Sequence, residues 1–140
     1  EIAFTPVAVI LAQVFVASPY FVRAASAGLA SVESGVRESA TIDGATGFAM
    51  FRFVLAPIAA RSIGAGAAMC WSRAIGEFGA TIMFAGNLPG RTQTMPLAVY
   101  LGFESGINRA LVLSAVLIGI SLFVLVAVRL LGWREARAEN

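Results

Sequence analysis

The sequence predicts an all-α membrane protein: about three transmembrane helices, a cytoplasmic helix pair after the first and a short external helix before the last. Three observations carry that expectation. Hydrophobic residues make up 59% of the 140 residues and charged ones 13%, whereas a soluble surface needs roughly 25–35% charged residues to cover itself. The apolar residues are gathered into long stretches free of charge. The ten cations are all arginine, and they sit singly at the ends of those stretches, where membrane topology places them.

The first stretch runs uncharged from Ile2 to Val22 and is ended by Arg23. A helix needs ~20 apolar residues to cross the hydrocarbon core, so a span is expected over about 3–23, with Gln13, Ser18 and Pro19 tolerated inside a bundle. The next segment, about 24–52, with a cytoplasmic coupling loop at about 31–52 inside it, is too long for a turn. Ala24, Leu29, Val32 and Val36 recur near a 3.6-residue period, and Asp43-Gly44 is a turn signal. Thr46 is the expected N-cap of a second helix carrying Phe48, Phe51 and Val54. A helix–turn–helix with an apolar, aromatic side follows. Pattern alone leaves two readings of that side: burial against its own bundle, or docking of a partner.

Pro57 marks the entry into a second span, expected over about 56–84. It is rich in small residues (Ser62, Gly64, Ala65, Gly66, Ala67, Ala68) and carries Arg61, Arg73 and Glu77, which assigns it to the bundle interior, since small residues let helix backbones approach closely. The loop at about 86–106 opens on a turn, Asn87-Leu88-Pro89-Gly90. An apolar piece, Met95 to Phe103, follows; it is too short to cross and is expected as an external, partly embedded helix. The last span, about 108–130, has its charge-free core from Ala110 to Val128, bracketed by Arg109 and Arg129, with Trp133 at an interfacial position. Placing the N-terminus outside puts Arg23, Arg37, Arg52, Arg129, Arg134 and Arg137 inside against Arg91 and Arg109 outside. Six against two obeys the positive-inside rule.

Composition also removes whole classes of function. With no Lys, no Walker A phosphate loop exists; with no His and one Cys (Cys70), neither an ordinary zinc site nor an internal disulfide does. The net charge of +2 is spread along the chain and not clustered on one face, so nucleic acid is not an expected partner. No catalytic, cofactor-binding or metal-binding residue is expected, and the chain is not an enzyme by itself. Residue 1 is Glu, and no basic region precedes a cleavage site, so the chain is expected to be the C-terminal part of a longer protein.

An ionisable residue inside a span is a functional candidate by default, because each costs roughly 2.5–3.5 kcal/mol at mid-membrane on insertion scales. Arg73 and Glu77 stand four apart and share a helix face. With Gly76, Phe78, Gly79 and Thr81 they form a candidate pathway or gate; the plainer reading is a static tie between helices.

Two groups of residues carry a resemblance. Glu38-Ser39-Ala40, Gly44 and Val54-Leu55-Ala56-Pro57 resemble the E-A-A-x3-G-x9-I-x-L-P loop of ABC importer membrane subunits, departing from it mildly at Ser39, Val54 and Ala56. The run from Ser72 to Asn87 and the run Pro89 to Tyr100 resemble the matching segments of molybdate permeases. The resemblance covers nearly the whole chain and implies a type I ABC importer transmembrane-domain fold, with two to three further helices upstream in the family's subunit. It implies that Glu38, Ser39, Ala40, Gly44, Phe48 and Pro57 belong to a coupling loop docking on a separate cytoplasmic subunit, which binds ATP and Mg. It implies a second permease copy, alternating access in a bacterial plasma membrane, and an extracytoplasmic molybdate-binding protein met by Asn87 and Arg91. Gly44 then has a mechanical reason to be glycine, since the turn needs φ > 0. The alternatives are a sulfate/thiosulfate or tungstate permease of the same superfamily, or a structural membrane subunit with no pathway.

Overall fold

The computed structural model describes residues 2–138, with side chains up to residue 128 apart from Ser105. The side chains of Arg129, Trp133, Arg134 and Arg137, which entered the topology count and the interfacial assignment, lie outside the described ones.

Helix α1 runs from Pro6 to Ala30. Thr5 starts it: its Oγ1 accepts the Ala8 N–H at 3.3 Å, and Pro6 at the first position sacrifices no bonded N–H. Its 25 residues at ~1.5 Å each reach ~37 Å, enough to cross the ~30 Å hydrocarbon core. The helix continues past Arg23, so Ala24 and Leu29 belong to α1 and not to a separate loop helix. The buried residues of α1 are Ala8, Ala12, Ala17 and Gly28, while Ile10, Leu11, Val14 and Phe15 are exposed. Small inside and large outside is the pattern of helices held by close backbone approach in lipid.

Helix α2 spans Ser34–Ile42, and Gly44 turns the chain with φ +88°. A continuous helical run follows from Phe48 to Ile58: α3 (Phe48–Met50), a π-helical turn (Phe51–Leu55) and α4 (Ala56–Ile58). Its first turn is entered through Gly47 as the cap residue, not through the expected cap Thr46. The chain then bends by 77° into α5, Ala60–Ile75. The bend follows Pro57, which has no N–H to continue the ladder.

The stretch expected as one span at 56–84 is therefore not one helix. Its entry is the corner after Ile58, and it breaks again at residues 76–78 before α6, Gly79–Ala85. Alone, the 16 residues of α5 reach ~24 Å, short of the membrane core; α5 and α6 together line the length of α1. The pairing is antiparallel. Gly28 faces Ser62 and Gly66 faces Ala24. Farther along, Gln13 meets Ala74, and the Phe4 N–H donates to the Phe84 carbonyl at 3.3 Å. Of the two glycines in this seam Gly28 is the more crowded: a Cβ there would stand 2.3 Å from the Ser62 Cβ.

Helix α7 (Met95–Ser105) forms a tight hairpin with α8 (Ile107–Ala138). The charge-poor part of α8, Ile107–Val128, has a mean hydropathy of 3.0 and no buried residue in its most apolar window. Its 22 residues cover ~33 Å.

Candidate functional site

The break between α5 and α6 is where this chain concentrates its polar chemistry. Interrupting a helix frees carbonyls at one end and N–H groups at the other, and inside hydrocarbon each needs a partner. The structure supplies them. At the end of α5, the Ala74 carbonyl accepts the Glu77 N–H at 3.2 Å and the Gln13 Nε2 from α1, also at 3.2 Å. At the start of α6, the Ala80 N–H donates to Glu77 Oε1 at 2.8 Å. The other carboxylate oxygen, Oε2, meets Arg73 Nη1 at 2.7 Å. Glu77 is 4% exposed. It thus sits at the positive N-terminal end of α6, while Arg73 sits in the negative last turn of α5, both favourable to the helix dipoles.

The predicted Arg73–Glu77 pair is present, but Glu77 lies beyond the end of α5 and not four residues along a continuous helix. Phe78 follows in the gap, and its ring meets Tyr100 of α7 edge-on at 5.4 Å and 63°. Thr81 is fully buried, and its Oγ1 has no hydrogen-bond partner among the described residues. Gly76 and Gly79 are exposed at the two ends of the gap. Irregular backbone at membrane depth occurs only against protein or a water-lined cavity, and here the gap packs against α1 through Gln13 and against α7 through Phe78.

The second group lies toward the other end of α1. Glu38, Ser39 and Gly44 are exposed, Ala40 is half-buried, Pro57 is exposed, and Phe48 is 74% exposed. Phe51 and Phe53 are exposed as well. The π-helical turn takes Phe51 and Val54 off the regular three-residue stripe expected for them, and Phe53 joins the outward side in place of Val54. Arg52 stands 5.8 Å from the Phe53 ring centroid. Among the described residues, the loop therefore presents Phe48, Phe51 and Phe53 outward. The structure does not bring the loop and the break together: Gly28 marks one end of α1, and Gln13, at the break, lies some 15 residues (~23 Å) away.

A family model described as "Binding-protein-dependent transport system inner membrane component" matches residues 2–139. The chain belongs to this family. Its fold is accordingly the all-α transmembrane fold of type I ABC importers, and the chain is a transport permease component of a membrane. Individual relatives agree. The "Putative molybdenum transport system permease protein YvgM" of Bacillus subtilis is 40% identical over 107 residues, 76% of this chain and 47% of that protein. The "Molybdenum transport system permease protein ModB" of Escherichia coli K12 is 35% identical over 127 residues, 87% of this chain and 56% of that protein. A "Probable sulfate transport system permease protein cysT" of Chlorokybus atmophyticus is 33% identical over 126 residues, 89% and 44% respectively. The chain spans about half the length of these curated relatives.

Within this inner-membrane component, two residues of the site escaped the sequence reading. Gln13 reads there as a tolerated polar residue and Arg37 as a topological charge. Gln13 ties α1 to the broken helix. Arg37 reaches back from α2, and its Nη2 donates to the Leu29 carbonyl at the end of α1. The usable signal for Gln13 was its chemistry, because a polar side chain in a span seeks a partner across the bundle. In the external loop, Asn87 Oδ1 accepts Gln93 Nε2 at 3.2 Å and Thr92 Oγ1 accepts the Leu88 N–H at 3.1 Å. Asn87 is thus engaged within the loop, while Arg91 at its tip is exposed.

Proposed function

We propose that this chain is part of the membrane subunit of an ATP-driven molybdate importer, which couples ATP hydrolysis by a separate cytoplasmic subunit to alternating access. The observation that carries the reading is the loop from Glu38 to Pro57. It is exposed and aromatic, it turns at Gly44 with φ +88°, and a 77° corner joins it to the broken helix. With no phosphate loop of its own, the chain needs a partner that holds ATP and Mg, and an outward apolar helix pair suits a groove on such a partner. Two permease copies would frame the pathway in a bacterial plasma membrane, and ATP binding would shift them between states through differential affinity. On the outer side, Arg91 and the braced Asn87 loop would meet a molybdate-binding protein.

The substrate rests on the relatives whose printed names carry molybdenum transport. Labelled-molybdate uptake by cells carrying the complete subunit tests it: a large excess of sulfate is expected to leave uptake intact, and strong competition by sulfate would sink the choice. The sulfate reading is the one rival with an observation behind it, the 33% identical relative named as a sulfate permease. Tungstate, nearly isosteric with molybdate, is expected to compete.

Docking has its own test. Gly44→Val puts a branched residue at φ +88°, a strain of about 1–3 kcal/mol. Retention of the ATPase subunit during purification is expected to fall about ten- to a hundredfold. Gly44→Asn, a side chain that tolerates positive φ, is expected to retain it. Full retention with valine means the loop is not the docking surface.

A further inference from the structure

We infer that α1 is a rod that delivers movement of the coupling loop to the break in the neighbouring helix, with Arg37 and Gln13 as its two ties. The inference rests on the docking reading of the loop.

The loop has two routes into the bundle. One is the chain itself, through the π-helical turn Phe51–Leu55 and the 77° corner before α5. A π turn is a local irregularity of the helical ladder, and the chain changes direction by 77° before α5 begins. The other route is α1. Arg37 on α2 donates to the Leu29 carbonyl, one of the carbonyls that the end of α1 leaves open. Its neighbours are closed by Ser31, whose N–H bonds the Ala27 carbonyl at 3.0 Å and whose Oγ donates to the Gly28 carbonyl at 2.8 Å. Arg37 is therefore the side chain that fastens α2 to the end of α1. Its Nε is buried, so the guanidinium is seated against protein and not waving in solvent.

The far tie is Gln13. Its Nε2 bonds the Ala74 carbonyl, the same acceptor that receives the Glu77 N–H across the break. Moving Gln13 along the axis of α1 pulls on the atom that fixes where α5 ends. Leu29 and Gln13 stand 16 residues apart on one helix, ~24 Å. Pro19 falls in that interval, yet α1 stays one helix through it and Ala17 beside it is 1% exposed.

The complete transporter in proteoliposomes tests the rod through the number of ATP molecules hydrolysed per molybdate imported. Arg37→Met, which keeps the stem and removes the donor, is expected to raise that ratio about tenfold, the scale of one lost charge-assisted hydrogen bond. Gln13→Leu is expected to raise it severalfold. Arg37→Lys, which keeps a donor, is expected to recover most of the coupling, so that an assembly defect in the methionine variant leaves a readable pair. The double variant decides. Sites this far apart add when they act independently, whereas two ties on one rod act in series, and Arg37→Met with Gln13→Leu is expected to do no worse than Arg37→Met alone. Multiplying effects, or an Arg37→Met ratio equal to wild type, overturns the rod while leaving docking intact. Loss of the ATPase subunit from Arg37→Met would place Arg37 in the docking surface and also overturn it. Failure of the unaltered permease to retain an ATPase subunit overturns the docking reading itself.

Discussion

Gly28→Val is expected to prevent α1 and α5 from packing and to leave little folded permease in the membrane. A Cβ at residue 28 would lie 2.3 Å from Ser62 Cβ and 2.8 Å from Ser62 Oγ, where non-bonded carbons rest at about 3.5–4.0 Å. The helices must separate by more than an ångström at the end where α2 is fastened. Overpacking a well-fitted contact costs about 1–3 kcal/mol or more. In lipid no hydrophobic force compensates, because close packing is itself what holds the helices together. Gly66 repeats the arrangement, with Ala24 Cβ 2.8 Å and the Phe21 carbonyl 3.2 Å from its would-be Cβ. The check is the yield and melting temperature of detergent-purified permease, with a transposed pair as control. Gly28→Ala combined with Ser62→Gly moves the bulk from one helix to the other, and is expected to recover most of what Gly28→Ala alone loses. Equal melting of Gly28→Val and wild type would refute the close approach.

The long elements were legible because lipid makes composition decisive. A charge-free run of twenty residues has few other destinations, and α1 and α8 follow from that. Their ends were less legible. Arg23 ends the charge-free run but not the hydrogen-bond ladder, so α1 continues to Ala30. The middle span was less legible for a related reason. Glycine, Arg73 and Glu77 fit equally a continuous interior helix and a broken one, and the choice depends on whether distant groups close the freed backbone. One of those groups, Gln13, lies 61 residues from Ala74 in the chain and leaves no local trace beside it. The turn at Gly44 was legible down to the sign of φ, because a loop of two short helices leaves few ways round. The π-helical turn was not, since Phe48, Phe51 and Val54 hold an ordinary helical spacing until the backbone inserts its extra residue.

Glu77→Leu is expected to be the most damaging single change in the chain, and its double variants separate a tie from a gate. The substitution removes two interactions at once: the 2.7 Å pair with Arg73 and the 2.8 Å bond that closes the Ala80 N–H. Breaking a buried ion pair by deleting one partner costs about 3–5 kcal/mol, and the lower end applies because the Arg73 side chain keeps 37% exposure. An unclosed N–H adds about 1–3 kcal/mol. Glu77→Gln keeps an acceptor for Ala80 and loses only the charge, so about 1–1.5 kcal/mol is expected, the difference between charged and neutral hydrogen bonds. Removing both charges avoids the stranded cation. Arg73→Met with Glu77→Gln is therefore expected to melt close to wild type, while Arg73→Met with Glu77→Leu recovers only part, because the start of α6 stays open. Wild-type melting of Glu77→Leu would refute the account of the break. The stable double variant then answers the functional question in molybdate uptake. Normal uptake leaves the pair as a static tie across a discontinuous helix; a folded subunit that fails to transport, or leaks, places Arg73 and Glu77 on the pathway.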